Sequence, residues 1–214
     1  MKYRKLVENA KKPNGFWGKM MIKAMNKGHS SLTSWGLEHM NIERTATVLD
    51  IGCGGGKTVD RLCSIVANGK VYGIDYSELS VKSSEKLNSK NILCNKAKIL
   101  HASVSDMPFD DNTFDNITAV ETYYFWPDKE NDVKEVFRVL KQGGTVMLLF
   151  EMLRTDDDPF KWEKVENMLN IKSVTPQEIR SVLESAGFEN INTYTKEGTT
   201  WLCATAQKPK DDEN

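Results

Sequence analysis

Apolar and polar positions alternate between two periods along this chain. TVLDI, KVYGID, AKIL, FDNITAV and GTVMLLFEM read as strands, and TVDRLCSIV, ELSVKSSEKL and DKENDVKEVFRVL read as helices between them. Such alternation predicts an α/β protein with a mostly parallel sheet, and the unbroken VMLLF run suits a strand covered on both faces. A helix is expected from Thr175 to Ala186, ended by Gly187. Beyond it FENINTYT and TTWLCATAQ, joined by Lys196-Glu197-Gly198, predict a hairpin at the sheet edge. Upstream of the sheet, FWGKMMIKAM places Phe16, Trp17, Met20, Met21, Ala24 and Met25 at helical spacing with Lys19, Lys23 and Lys27 on the other face. This predicts an amphipathic helix with a methionine-rich side, and Ser30 or Ser31 is expected to cap a second helix carrying Trp35, Leu37 and Met40.

With 214 residues the chain fits one folding unit with a sizeable core. Its 29 basic and 30 acidic side chains argue against a global affinity for nucleic acid. Four cysteines without a CxxC pair and three histidines suggest neither a disulfide scaffold nor a metal site, so no metal is expected. The N-terminus lacks the apolar core of a signal peptide and no run is long enough to span a bilayer, so we expect a cytoplasmic protein. The chain divides into an N-terminal helical lid (1–45), a core domain (46–207) containing a cap insertion (151–174), and a polar tail (208–214).

The stretch VLDIGCGGGKT, residues 48–58, carries the chemistry. A phosphate-binding G-x-x-x-x-G-K-[ST] loop fails because Ile51 stands at its first glycine. The dinucleotide G-x-G-x-x-G fails because Lys57 takes its last position. What remains is Asp50 at a strand end followed by Gly52, Gly54 and Gly56, and this resembles the first motif of the Rossmann-like, class I S-adenosylmethionine-dependent methyltransferases. The likeness runs in order through VYGIDYS with Asp75 and Tyr76, HASVSDMPFDDNTFD with Ser103 where the family usually has aspartate and Val104 beside it, FDNITAVETYYFWPD, and RVLKQGGTV. Within that family it resembles the small-molecule branch that includes the menaquinone and ubiquinone biosynthesis methyltransferases. The resemblance implies a seven-stranded sheet with a reversed last strand, helices on both faces, and S-adenosylmethionine as cofactor with S-adenosylhomocysteine as product. Asp50, the three glycines, Asp75, Tyr76, Ser103, Val104 and Glu121 are then the expected cofactor contacts.

Methyl transfer is an in-line displacement that depends mainly on proximity and exclusion of water; a base is needed only where the acceptor must lose a proton. Candidates for that work are His29, Glu121 and Tyr124, and an acceptor wall is expected from Trp17, Met21, Tyr123, Trp126 and Trp162, with Phe160 and Met168 also in the cap. Glu121 alternatively grips the cofactor's ammonium or is a plain loop-end carboxylate. The N-terminal helix is read as a lid, with an ordinary packing helix and a basic membrane-surface helix as alternatives. The expected partner is a small, apolar or aromatic acceptor, with no nucleic acid; the oligomeric state is open. Rival readings are a non-catalytic S-adenosylmethionine-binding module and a nucleoside-phosphate enzyme prompted by GGGKT.

Overall fold

The structure is a computed structural model that describes residues 9–210. Two helices, α1 (Gly15–Gly28) and α2 (Ser30–Leu37), precede β1 (Thr47–Ile51), α3 (Lys57–Ile65), β2 (Lys70–Asp75), α4 (Glu78–Leu87), the short α5 (Ser89–Leu93) and β3 (Ala97–His101). There follow β4 (Phe114–Val120), a 3-10 turn at Tyr123–Phe125, α6 (Lys129–Val139), β5 (Leu140–Phe150), α7 (Glu163–Leu169), α8 (Pro176–Ser185), β6 (Glu189–Thr195) and β7 (Leu202–Gln207). The seven strands pair in the order β3-β2-β1-β4-β5-β7-β6. β1 to β5 are mutually parallel, and β7 runs antiparallel to both neighbours. This is the mixed seven-stranded sheet with a reversed last strand that the resemblance implies.

Strand alternation divides the core. Leu49, Ile117, Leu148 and Ala204 pack with Val133 and Val136 of α6 and Ile179 and Leu183 of α8. On the opposite face Val48, Val71 and Ile99 meet Val59 and Leu62 of α3 and Val81 of α4, while Met147, Leu149 and Cys203 meet Leu32 of α2. α8 starts at a complete capping box between Thr175 and Glu178, with Pro176 in its first turn, and Gly187 ends it at φ +95°. β5 begins earlier than GTVMLLF suggests, at Leu140, because Gly143 at φ +70° bridges a register shift against β4.

The N-terminal helix does not bury its methionine-rich side. Gly18 and Ile22 are its buried residues, whereas Phe16 and Met20 are 70% and 43% exposed. Size decides this: a Cβ on Gly18 would lie 2.8 Å from the Pro13 carbonyl carbon and 2.9 Å from Leu79, so the helix seats where it carries no side chain. Neither Ser30 nor Ser31 caps α2; His29 is its N-cap residue, without a side-chain cap, and Ser30 Oγ accepts from Arg61 instead. No helix among the described residues is long and apolar enough to cross a membrane.

Candidate functional site

A cavity of about 750 Å3 opens at the carboxyl ends of the parallel strands, where β1 and β4 lie side by side. Its floor is the loop from β1 to α3. Gly52, Gly54 and Gly56 all adopt positive φ, at +68°, +53° and +82°. A Cβ separates their roles. At Gly52 it would sit 2.4 Å from Thr122, at Gly56 2.4 Å from Ser84 Oγ, but at Gly54 the nearest atom is the Gly52 carbonyl oxygen at 3.9 Å. Gly54 thus presents bare backbone to the cavity, while Gly56 faces α4 and does not line it. Lys57, the residue that prompted the phosphate reading, is bonded to Asp60 at 2.8 Å.

Asp75 ends β2 inside the cavity, 7% exposed, accepting from Gly54 N at 2.9 Å and Ser77 N at 2.8 Å. Burial pushes its pKa up against those donors. The carboxylate can still accept from a ligand hydroxyl, since these backbone donors do not use all of its lone pairs. Asp50 is 2% exposed and takes the Thr118 hydroxyl at 2.8 Å; burial raises its pKa to about 7. Tyr76, Ser103 and Val104 line the cavity, and the Tyr76 hydroxyl donates to the Lys11 carbonyl. The loop behind Ser103 and Val104 is held by Arg138, which bonds Phe109 O and Asp111 at 2.8 and 2.7 Å as well as Glu135.

The opposite wall brings together the three candidates for acid-base work. Glu121, at φ +58° just beyond β4, accepts from the Glu151 backbone N–H and from the Tyr124 hydroxyl at 3.3 Å. Burial, supplemented by the Glu151 charge, raises its pKa to about 8. Tyr124 is held well above its ordinary range by burial, and its hydroxyl accepts from Met152 N at 2.9 Å. His29 approaches from the α1–α2 junction with Nε2 3.9 Å from Glu151 Oε2, and burial lowers its pKa, so its imidazole is neutral near pH 7. His29, Glu121 and Glu151 each offer a ligand atom within 4.8 Å of the others, a cluster that the expectation of no metal site passed over.

Trp126 lines the cavity, its indole N–H reaching Thr122 Oγ1 at 3.3 Å. Four other wall assignments are corrected. Tyr123 turns into the core against Trp126 and Phe150, since successive residues of a 3-10 turn point in different directions. Trp162 donates to Leu153 O at 2.9 Å and packs on the core; Trp17 and Met21 lie on the flank of α1, away from the cavity. The cap contributes Glu166, Asn167, Asn170, Ile171 and Lys172 instead of its large apolar residues, and Phe160 is 73% exposed.

Sequence reasoning also missed Ile22, Met25 and Asn26 of α1, and Arg61, which bonds Ser30 O and Oγ at 3.0 Å each. Asn26 Nδ2 donates to Gly55 O at 3.4 Å, and a Cβ on Gly55 would meet Asn26 and Ile22. α1 therefore rests on the glycine loop itself. A polar Asn interrupting an apolar helix face was the available signal.

Residues 49–148 match the Methyltransferase domain family. The uncharacterized methyltransferase YdaC of Bacillus subtilis is 26% identical over 183 residues, 85% of this chain and 93% of that protein. Demethylmenaquinone methyltransferase of Geobacillus sp. is 33% identical over 114 residues, 53% of this chain and 48% of that enzyme. The chain thus spans about half the length of that relative. Among solved structures, an S-adenosylmethionine-dependent methyltransferase from Aquifex aeolicus shares the fold with a TM-score of 0.67 at 22% identity, over 86% of this chain and 95% of that one.

A reversed seventh strand, an open glycine turn and a strand-end carboxylate suit a nucleoside sulfonium better than a phosphate. With the domain match, they place the chain in the class I S-adenosylmethionine-dependent methyltransferases, and methyl transfer is its activity. The residues fit the cofactor: Gly54 allows close approach, Asp75 offers lone pairs for ribose hydroxyls, and Val104 an apolar surface for the base.

Proposed function

We propose that the protein methylates a small acceptor with an apolar or aromatic body, and that His29 receives the acceptor's proton. S-adenosylmethionine supplies an electrophilic methyl group carried on a sulfonium. The observation that carries the reading is a shared cavity: the glycine loop and Asp75 lie on one side, and His29, Glu121 and Tyr124 on the other. A neutral His29 accepts a proton from a hydroxyl or thiol, and Glu151 at 3.9 Å stabilises the imidazolium that forms. Glu121, with its pKa near 8, and Tyr124 form a hydrogen-bonded pair that orients the acceptor. Phe125 and Trp126 supply an aromatic surface, and Asn167, Asn170 and Lys172 a polar end for the acceptor's substituents. Alignment and exclusion of water do the remaining work.

The test is a panel of phenols, thiols and amines followed by S-adenosylhomocysteine release. With an acceptor found by the panel, His29→Ala is expected to lose about 100-fold in turnover while S-adenosylmethionine affinity holds. Unchanged turnover would remove His29 and leave Glu121 or Tyr124 as the next candidate.

A further inference from the structure

The residues that α1 turns outward form a surface of their own. Phe16 and Met20, one turn apart, are 70% and 43% exposed, and the Phe16 ring meets the Trp17 ring edge to face at 5.7 Å. Lys19, Lys23 and Lys27 are exposed beside them on the same helix, and none is ion-paired among the described residues. From residue 9 to residue 37 the chain has five lysines and neither aspartate nor glutamate, although the whole protein carries 29 basic against 30 acidic side chains. One segment therefore concentrates positive charge around exposed apolar side chains, while the remainder is net negative. The inner side of the same helix, Ile22, Met25 and Asn26, lines the cavity.

We propose that the outward face of α1, Phe16 and Met20 with Lys19, Lys23 and Lys27, docks on an anionic lipid bilayer. Charge complementarity selects the occupant: the lysines match the negative surface of anionic headgroups, and the phenyl ring and thioether enter the boundary between headgroups and acyl chains. A nucleic acid would satisfy the lysines but would leave the Met20 and Ala24 flank of the strip in water. Docking would hold the cavity roof at the lipid surface. The proposal stands apart from the identity of the acceptor.

Full-length protein is sedimented with phosphatidylcholine vesicles and with vesicles containing one-third phosphatidylglycerol. Binding to the anionic vesicles only, weakening with salt, is expected. Charge reversal in the pair Lys19→Glu, Lys23→Glu should reduce partitioning at least about 25-fold, at about fivefold per lysine near the surface. Phe16→Ser with Met20→Ser should reduce it about tenfold or more even at low salt. Both variants should keep S-adenosylmethionine affinity, which shows that they fold. The milder Lys23→Ala provides a second charge variant. Equal partitioning of the wild type and both double variants overturns the proposal, as does binding of a single-stranded RNA that is tighter than vesicle binding and sensitive to the same lysines.

Discussion

Residue by residue, the glycine loop separates cofactor contact from structural need. Gly54 and Gly52 share the positive-φ conformation, yet only Gly52 is hemmed in, by Thr122 at 2.4 Å. Gly54→Ala should cost about 1 kcal/mol for its backbone conformation, and Gly52→Ala a further 1–3 kcal/mol or so for overpacking; chemical denaturation without cofactor would distinguish them. Gly54→Val should abolish S-adenosylmethionine binding, because a branched side chain then fills the space the ligand needs. Full retention of affinity would refute the cradle. Asp75→Ala removes a carboxylate that serves two backbone donors and offers its spare lone pairs to the ribose. We expect binding weaker by roughly 2–3 kcal/mol in calorimetry, in a protein that still melts cooperatively. An unchanged dissociation constant would take Asp75 out of the site.

At the scale of elements, α1 and the residues on either side of it are tied to the glycine loop and to α3 and α4. A lid that touched only the acceptor would affect turnover and leave cofactor binding alone, as its position upstream of the sheet suggests. The contacts point otherwise: Asn26 and Ile22 press on Gly55, Ser77 donates to Pro13 O at 2.9 Å, and Arg61 holds Ser30. Removing α1 should therefore weaken S-adenosylmethionine binding as well as turnover, by about tenfold or more for the lost contacts. Titration of the shortened protein checks this; wild-type affinity would restore the simpler lid. α2 is different in kind, because Gly36 lies against Leu149, where a Cβ would approach to 2.7 Å, and Leu32 covers the sheet. Its removal would expose core and cost fold stability first.

For the molecule as a whole, the buried carboxylates set a pH dependence. Asp50 at about 7 and Glu121 at about 8 both lie above their unfolded values, so the folded protein holds protons that the unfolded chain has released. The contribution of these two carboxylates to folding stability should fall as pH rises from the ordinary carboxylate range to about 8 and then level off. His29, lowered by burial, adds an opposite slope that ends near its unfolded value, so between pH 7 and 8.5 or so the descent belongs mainly to Glu121. Thermal melts across that range should show a falling midpoint that Glu121→Gln flattens. An identical slope in the variant would assign the effect elsewhere.

What the sequence determined by itself was everything that follows from local period and spacing. The order of the strands and of the longer helices, the hairpin after Gly187 and the glycine turn were legible, because each depends on residues close together in the chain. Tertiary structure alone decided which side of each element meets a ligand. Tyr123 and Tyr124 are adjacent in sequence yet face core and cavity respectively, and Glu151 joins His29 and Glu121 only because β5 lies beside β4. In α1 the apolar pattern pointed to the methionine face, but close packing turned Gly18 and Ile22 inward, Gly18 because no side chain fits there, while Asn26 bonds the Gly55 carbonyl. Amphipathic periodicity states that a helix has two unlike sides; the shape and polarity of what it packs against decide which side turns inward.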